Sequence, residues 1–163
     1  MKRNLPCSAF LLTILFLIFS CSSSDDSGGL SGTDLSISEL QGSWTVTSLV
    51  FGKLCDPGVD CPVEEVDVIE EGATATLTIQ GNGRFTILSA IPGGGSETIT
   101  GQMSFDEDLL VLEFDDVPGE EEYYGIQLSN NGNTLAINGN AEYDFDGDGT
   151  DEPANLNLVC SRN

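Results

Sequence analysis

From Ser43 to the C-terminus, apolar and polar residues alternate with period two, and Gly, Asn, Asp and Pro gather between the alternating runs. Successive side chains of an extended chain point to opposite faces, so this pattern specifies strands with one face buried. Eight segments are predicted as strands: Ser43–Phe51, Ala73–Gln80, Arg84–Ala90, Glu97–Phe105, Leu109–Phe114, Glu121–Ser129, Thr134–Asn138 and Asn155–Cys160. In the first, Trp44, Val46, Ser48 and Val50 are expected on one face. Gly81-Asn82-Gly83 and Asn130-Asn131-Gly132-Asn133 supply the positive φ that tight hairpins need. Only Ile37–Leu40 reads as helix, one turn capped by Ser36 or Ser38. Short connections favour a meander, and closing eight such strands into an up-and-down barrel removes the exposed edges that would aggregate. The expected fold is therefore all-β, an eight-stranded antiparallel barrel.

The N-terminus carries a different signal. Lys2 and Arg3 precede an apolar run from Ala9 to Phe19, the length of a signal-peptide core and too short to span a bilayer comfortably. The run ends Ile18-Phe19-Ser20-Cys21, which resembles a lipobox. That resemblance implies cleavage before Cys21, lipid on its thiol and a membrane partner through the anchor. Ser22-Ser23-Ser24-Asp25-Asp26-Ser27-Gly28-Gly29 buries too little to fold and reads as a flexible tether. Its serines and paired aspartates resemble an acidic export tag that, in one Gram-negative group, sends lipoproteins to the outer face of the outer membrane; a plain solvated spacer is the other reading. The expected organisation is a signal peptide over 1–20, a tether over 21–36 and one domain over 37–163, at the outer membrane.

Without residues 1–20, three basic residues, Lys53, Arg84 and Arg162, face 27 acids, a formal charge of −24. No basic patch exists to neutralise phosphates, which excludes nucleic acid as a partner and attraction to anionic headgroups. The sequence has no histidine, so it lacks the commonest general base and transition-metal ligand. It also lacks a nucleophile elbow, a phosphate loop and zinc spacing, and a non-catalytic protein is expected. Cys55, Cys61 and Cys160 remain beside Cys21. In an oxidising compartment they imply one disulfide and one spare thiol; spacing leaves open whether Cys55 pairs with Cys61 or one of them is stapled to Cys160.

Leu40-Gln41-Gly42-Ser43-Trp44-Thr45-Val46 resembles the Gly-x-Trp opening of the lipocalin superfamily. Thr76–Phe85 and Gln127–Leu135 are similar to hairpins of bacterial lipocalin-like lipoprotein domains, so the resemblance covers about residues 37–163. It implies that Trp44 closes the barrel base with Arg162 lying across it. It also implies an interior that holds a small apolar ligand or is filled by its own side chains. Large inward residues such as Phe85, Ile87, Phe105 and Phe114 would favour a filled core, and small ones such as Ala75 and Ser104 a cavity. The cysteine loop and the acidic loop near the end depart from the family.

That acidic loop, Asp144-Phe145-Asp146-Gly147-Asp148-Gly149-Thr150-Asp151-Glu152, matches the first half of a calcium loop, with carboxylates at alternate positions and glycine at the sixth. Asp144, Asp146 and Asp148 are the expected side-chain ligands of Ca2+, Thr150 a carbonyl ligand, and Glu152 or Asp151 the completion of the shell. Asn155 at the twelfth position rules out an EF-hand. The other acidic clusters, Asp115-Asp116 with Glu120-Glu121-Glu122, and Glu64–Glu71, lack this spacing and read as solvated. The chain is thus expected to be an anchored binding module for a small apolar ligand, or a solid barrel whose outer surface meets envelope proteins or glycans.

Overall fold

A computed structural model describes residues 30–31, 35–55, 58 and 64–163. Its elements in chain order are β1 (Leu30–Ser31), α1 (Ile37–Leu40), β2 (Gly42–Lys53), β3 (Glu65–Asp67), β4 (Thr74–Ile79), β5 (Arg84–Ala90), β6 (Ser96–Asp106), β7 (Leu109–Phe114), β8 (Glu121–Ser129), β9 (Thr134–Tyr143) and β10 (Glu152–Arg162). Strands β4 to β10 each pair antiparallel with their sequence neighbours, and β2 closes the ring by pairing with β4 on one side and β10 on the other. The result is a closed barrel of eight strands, as the alternation predicts. Arg84–Ala90, Leu109–Phe114 and Glu121–Ser129 coincide with their expected bounds.

The differences have physical causes. β9 and β10 run five and three residues further toward their shared loop than the pattern suggests, because they form one long ladder from Ser161–Thr134 to Glu152–Tyr143. Leu30–Ser31, within the expected tether, pairs with Leu128 and Gln127 of β8, and Leu35 is buried in the core. The barrel's contacts therefore begin upstream of residue 37. In β2, Val159 lies opposite Ser48 and Cys160 opposite Val46, so Thr47 is an extra residue in its strand. Such a bulge reverses which residues face inward. Trp44 and Val46 are buried, but beyond the bulge Leu49 packs on the core instead of Ser48 and Val50.

The barrel interior is apolar. Trp44, Phe85, Leu40, Leu77, Ile79, Leu110, Leu135 and Cys160 are its largest fully buried side chains, each large hydrophobe worth about 1.5–3 kcal/mol of burial. Phe85 and Phe114 meet edge to face at 5.6 Å, across Gly101 of the intervening strand. Ile87, Phe105 and Phe114 pack against this cluster, whereas Ser104 is exposed on the outer wall. Exposed outer positions include Thr45, Thr47, Thr74, Thr78 and Thr98. Apolar residues thus fill the interior and much of the outer wall is polar, although Leu88, Leu109 and Tyr123 are exposed on it; a barrel embedded in lipid carries a continuous apolar outer band instead.

One end is sealed. Trp44 donates its indole N–H to the Leu40 carbonyl at 2.8 Å. The Arg162 guanidinium lies 4.1 Å from the Trp44 ring centroid. It donates to the carbonyls of Glu39 (2.6 Å), Gln41 (2.7 Å) and Gly132 (2.7 Å). Gly42, at φ 143°, permits this approach: a Cβ there would sit 3.1 Å from an Arg162 terminal nitrogen. Ser36 donates both its backbone N–H and its hydroxyl to the Glu39 carboxylate, holding the first turn of α1. The expected Trp44–Arg162 pair is therefore a contact that binds α1, the β8–β9 turn and the last strand together.

Candidate functional site

At the other end the wall divides. β2 pairs with β4 only from Gly42 to Thr45, and after the Thr47 bulge it pairs with the short β3 at Val50, Phe51 and Gly52. The turn after β3 spans the space between β2 and β4 through hydrogen bonds from Val68 N–H to the Leu49 carbonyl (3.1 Å) and from Ala73 N–H to the Val68 carbonyl (2.9 Å). Beneath this span is a cup of about 540 Å³, within the size range of small-molecule sites. Its walls are Leu49 and Phe51 from β2, Val68 and Ile69 from the turn, Ala73 just before β4, Thr74 and Ala75 from β4, Ser89 from β5, Ile91 and Pro92 from the following loop, and Tyr143 from β9. Phe51 and Tyr143 stack at 4.6 Å, and Phe145 meets Tyr143 edge-on at 5.0 Å. The rim carboxylates are Glu71 and Glu97.

Asp67 fixes the span. It accepts from the Ser48 hydroxyl (2.7 Å) and from the backbone N–H groups of Leu49 (3.2 Å) and Ile69 (2.9 Å). Burial alone would raise its pKa, but these bonds, with a further one from Glu70 N–H, outweigh it and hold the carboxyl below its ordinary value. Tyr143 is shifted the opposite way, its phenol raised by burial and then by the charges of Glu71 and Asp144.

A second depression of about 810 Å³, more open and lined by Leu54, Glu122, Tyr123, Tyr124, Asn140, Ala141, Glu142, Pro153 and Ala154, lies at the same end. Burial, then a hydrogen bond to Glu122, raises the Tyr124 phenol, so it stays protonated. The smaller cup is the better ligand site because it is more enclosed and more apolar, which is what excludes water from a bound molecule.

No protein-family model and no curated protein matches this chain.

The remaining expected site residues fall into three groups. Asp144, Asp146 and Asp148 do come together, each offering an oxygen within 4.8 Å of the others. Gly147 and Gly149, at φ 74° and 87°, make the bend. The carboxylates already accept backbone bonds: Asp144 from Gly147 (2.7 Å) and Gly149 (2.9 Å), Asp146 from Asp148 (3.1 Å), and Asp148 from Thr150 (2.8 Å). Glu152 stands apart from this group. It accepts from Phe145 N–H at 2.9 Å and pairs with Lys53 at 3.3 Å, so the loop's acidic side chains divide between the turn and the barrel wall.

The second group is the cysteines. Cys160 is a free thiol, fully buried in β10 opposite Leu135 and Val46. The staple from the cysteine loop to the last strand is thereby excluded: the Cys160 side chain points into the core, and burial pushes its thiol up to about 12. Cys61 lies outside the described residues. Cys21, with residues 1–29, forms the third group and also lies outside them. Asp67 lies in the Glu64–Glu71 stretch expected to be solvated, yet its carboxylate is tied to Ser48, Leu49 and Ile69; Ile69 and Tyr143, which also shape the cup, are not singled out by the sequence. The one available signal was that Tyr143 continues the inward parity of Leu135 and Ile137 along β9.

Proposed function

We propose that this protein is a lipid-anchored binding module of the cell envelope, held at the outer membrane through Cys21, with a lipocalin-like barrel that carries a small apolar molecule in the cup. The observation that carries the reading is the apolar cup itself, at the barrel end opposite the Trp44–Arg162 seal. Large buried side chains such as Trp44, Leu77, Phe85 and Leu135 pack toward the sealed end, so the ligand would be held at the mouth by Leu49, Phe51, Ile69, Ala75 and Tyr143. The role is binding without catalysis, consistent with the lack of histidine. Native mass spectrometry of the protein from its own cells tests this. A retained molecule of a few hundred daltons supports the reading. A bare polypeptide mass refutes it and favours the rival, a barrel whose outer surface meets envelope proteins or glycans. Absence of radiolabelled palmitate on the expressed protein would remove the anchor.

Calcium at the β9–β10 loop is a second reading, favoured by the three convergent carboxylates. Ca2+ bonds oxygens at about 2.3–2.6 Å, so ligands of one ion stand up to about 5 Å apart, which the 4.8 Å spread of Asp144, Asp146 and Asp148 satisfies. Thr150 and Asp151 would complete the shell with water, while Glu152 would have to leave Lys53 to join. With a dissociation constant of about 1 mM, 10 mM calcium adds about 1.4 kcal/mol of stability. Thermal unfolding with calcium and with chelator, in the parent and in Asp146→Asn, reads it; identical curves in all four samples exclude the site. We also propose a Cys55–Cys61 disulfide, supported by the sequestration of Cys160 in the core. Mass analysis after alkylation without reductant checks it.

A further inference from the structure

Resting on the reading of the cup as a ligand site, the charge around it narrows the class of ligand. The polar side chains at the rim that carry charge are Glu71 and Glu97, both exposed, with Asp144 near enough to act on Tyr143. A carboxylate-headed ligand would need a cation there. All three basic side chains among the described residues are held elsewhere. Lys53 pairs with Glu64 and Glu152, each at 3.3 Å, and lies 5.3 Å from the Phe145 ring centroid. Arg84 makes a two-pronged pair with Asp115 at 2.7 and 2.6 Å on the outer wall. Arg162 is spent on three carbonyls and Trp44 at the sealed end. The stacked rings of Phe51 and Tyr143 add aromatic faces beside the rim acids, and aromatic faces with nearby carboxylates are the surroundings in which an ammonium group is held. We propose that the cup selects amphiphiles with a positively charged head, an alkylammonium over a short apolar tail, and discriminates against carboxylate-headed ones.

Isothermal titration of the protein with decylammonium and decanoate below their micellar concentrations, and with 1-decanol below its solubility limit, tests it. Decylammonium should bind at least about tenfold more tightly than decanoate, the preference that a difference of about 1.4 kcal/mol in head-group interaction produces. Glu71→Gln with Glu97→Gln should bring the two within about twofold while leaving decanol binding intact. Removing the same two charges from the β6–β7 turn, by Asp106→Asn with Glu107→Gln, should leave the preference in place, which separates the cup from the general acidity of the surface. Ala75→Phe should abolish binding of all three. Equal affinity for the three heads, or a preference that survives loss of Glu71 and Glu97, overturns the charge selection while the apolar cup stands. Failure of decanol to bind, or binding indifferent to Ala75→Phe, overturns the cup itself.

Discussion

Arg162 stands next to the last residue of the chain, where side chains ordinarily fray, yet removing it should destabilise the whole barrel. Its guanidinium donates three hydrogen bonds, of 2.6 to 2.7 Å, to the carbonyls of Glu39, Gln41 and Gly132. Each such bond is worth about 1 kcal/mol net, and the contact with Trp44 about 1 kcal/mol more. Arg162→Ala should therefore lower the unfolding free energy by about 4 kcal/mol, a large share of the 5–15 kcal/mol typical of a domain. Arg162→Lys should recover little of it. An ammonium keeps the charge but not the planar fork that reaches three acceptors while lying flat on an indole. Urea unfolding followed by the fluorescence of Trp44, the only tryptophan, measures both variants, and the slope against urea should stay unchanged because the same surface is exposed. A loss below about 1 kcal/mol for Arg162→Ala, or a lysine variant as stable as the parent, would refute the account of the sealed end.

Other outcomes follow from single residues. Gly101→Ala should cost about 1–3 kcal/mol, since the new Cβ would sit 2.5 Å from Phe85 Cζ and against the Glu113 carbonyl; denaturant titration reads it, and an unchanged midpoint contradicts the packing. Hydrogen bonds from Arg84 and then from the Thr100 hydroxyl lower the Asp115 pKa from 3.8 to about 2. A lowered folded-state pKa contributes stability that is present above the unfolded value and lost as pH falls through the folded one. The stability difference between parent and Asp115→Asn should therefore hold at pH 5 to 7 and shrink between pH 4 and 2. A difference that persists unchanged at pH 2 counts against the pair. Cys160, with its thiol at about 12, should resist iodoacetamide at pH 8 until the protein is unfolded, and peptide mapping after brief labelling would expose any native reaction.

Period-two alternation carried the eight strands and their order because a half-buried antiparallel ladder imposes it locally. It failed where an interaction between distant residues decides the outcome. The extra residue at Thr47 is set by how β2 meets β10, and it moved Leu49 inward and Ser48 outward, where the serine hydroxyl meets Asp67. β3 lies in an acidic stretch whose composition reads as solvated, yet it is held by Asp67 bonding across to β2. The cup was invisible for the same reason: its walls come from the two sides of a seam whose position depends on that bulge. Alternation put Trp44 on the inner face, but its pairing with Arg162 was legible only through resemblance. The aspartates of the β9–β10 loop were legible from spacing, whereas the partnership of Glu152 with Lys53, 99 residues apart, was not.

The polypeptide reaches the barrel at the sealed end, where α1 is bound to the β8–β9 turn by Arg162, and the cup lies at the far end of the same strands. With the anchor proposed at Cys21, the tether would meet the barrel on the side of its closed base, leaving the mouth at the end remote from the attachment. On that proposal a ligand could enter and leave the cup without the barrel having to part from its attachment.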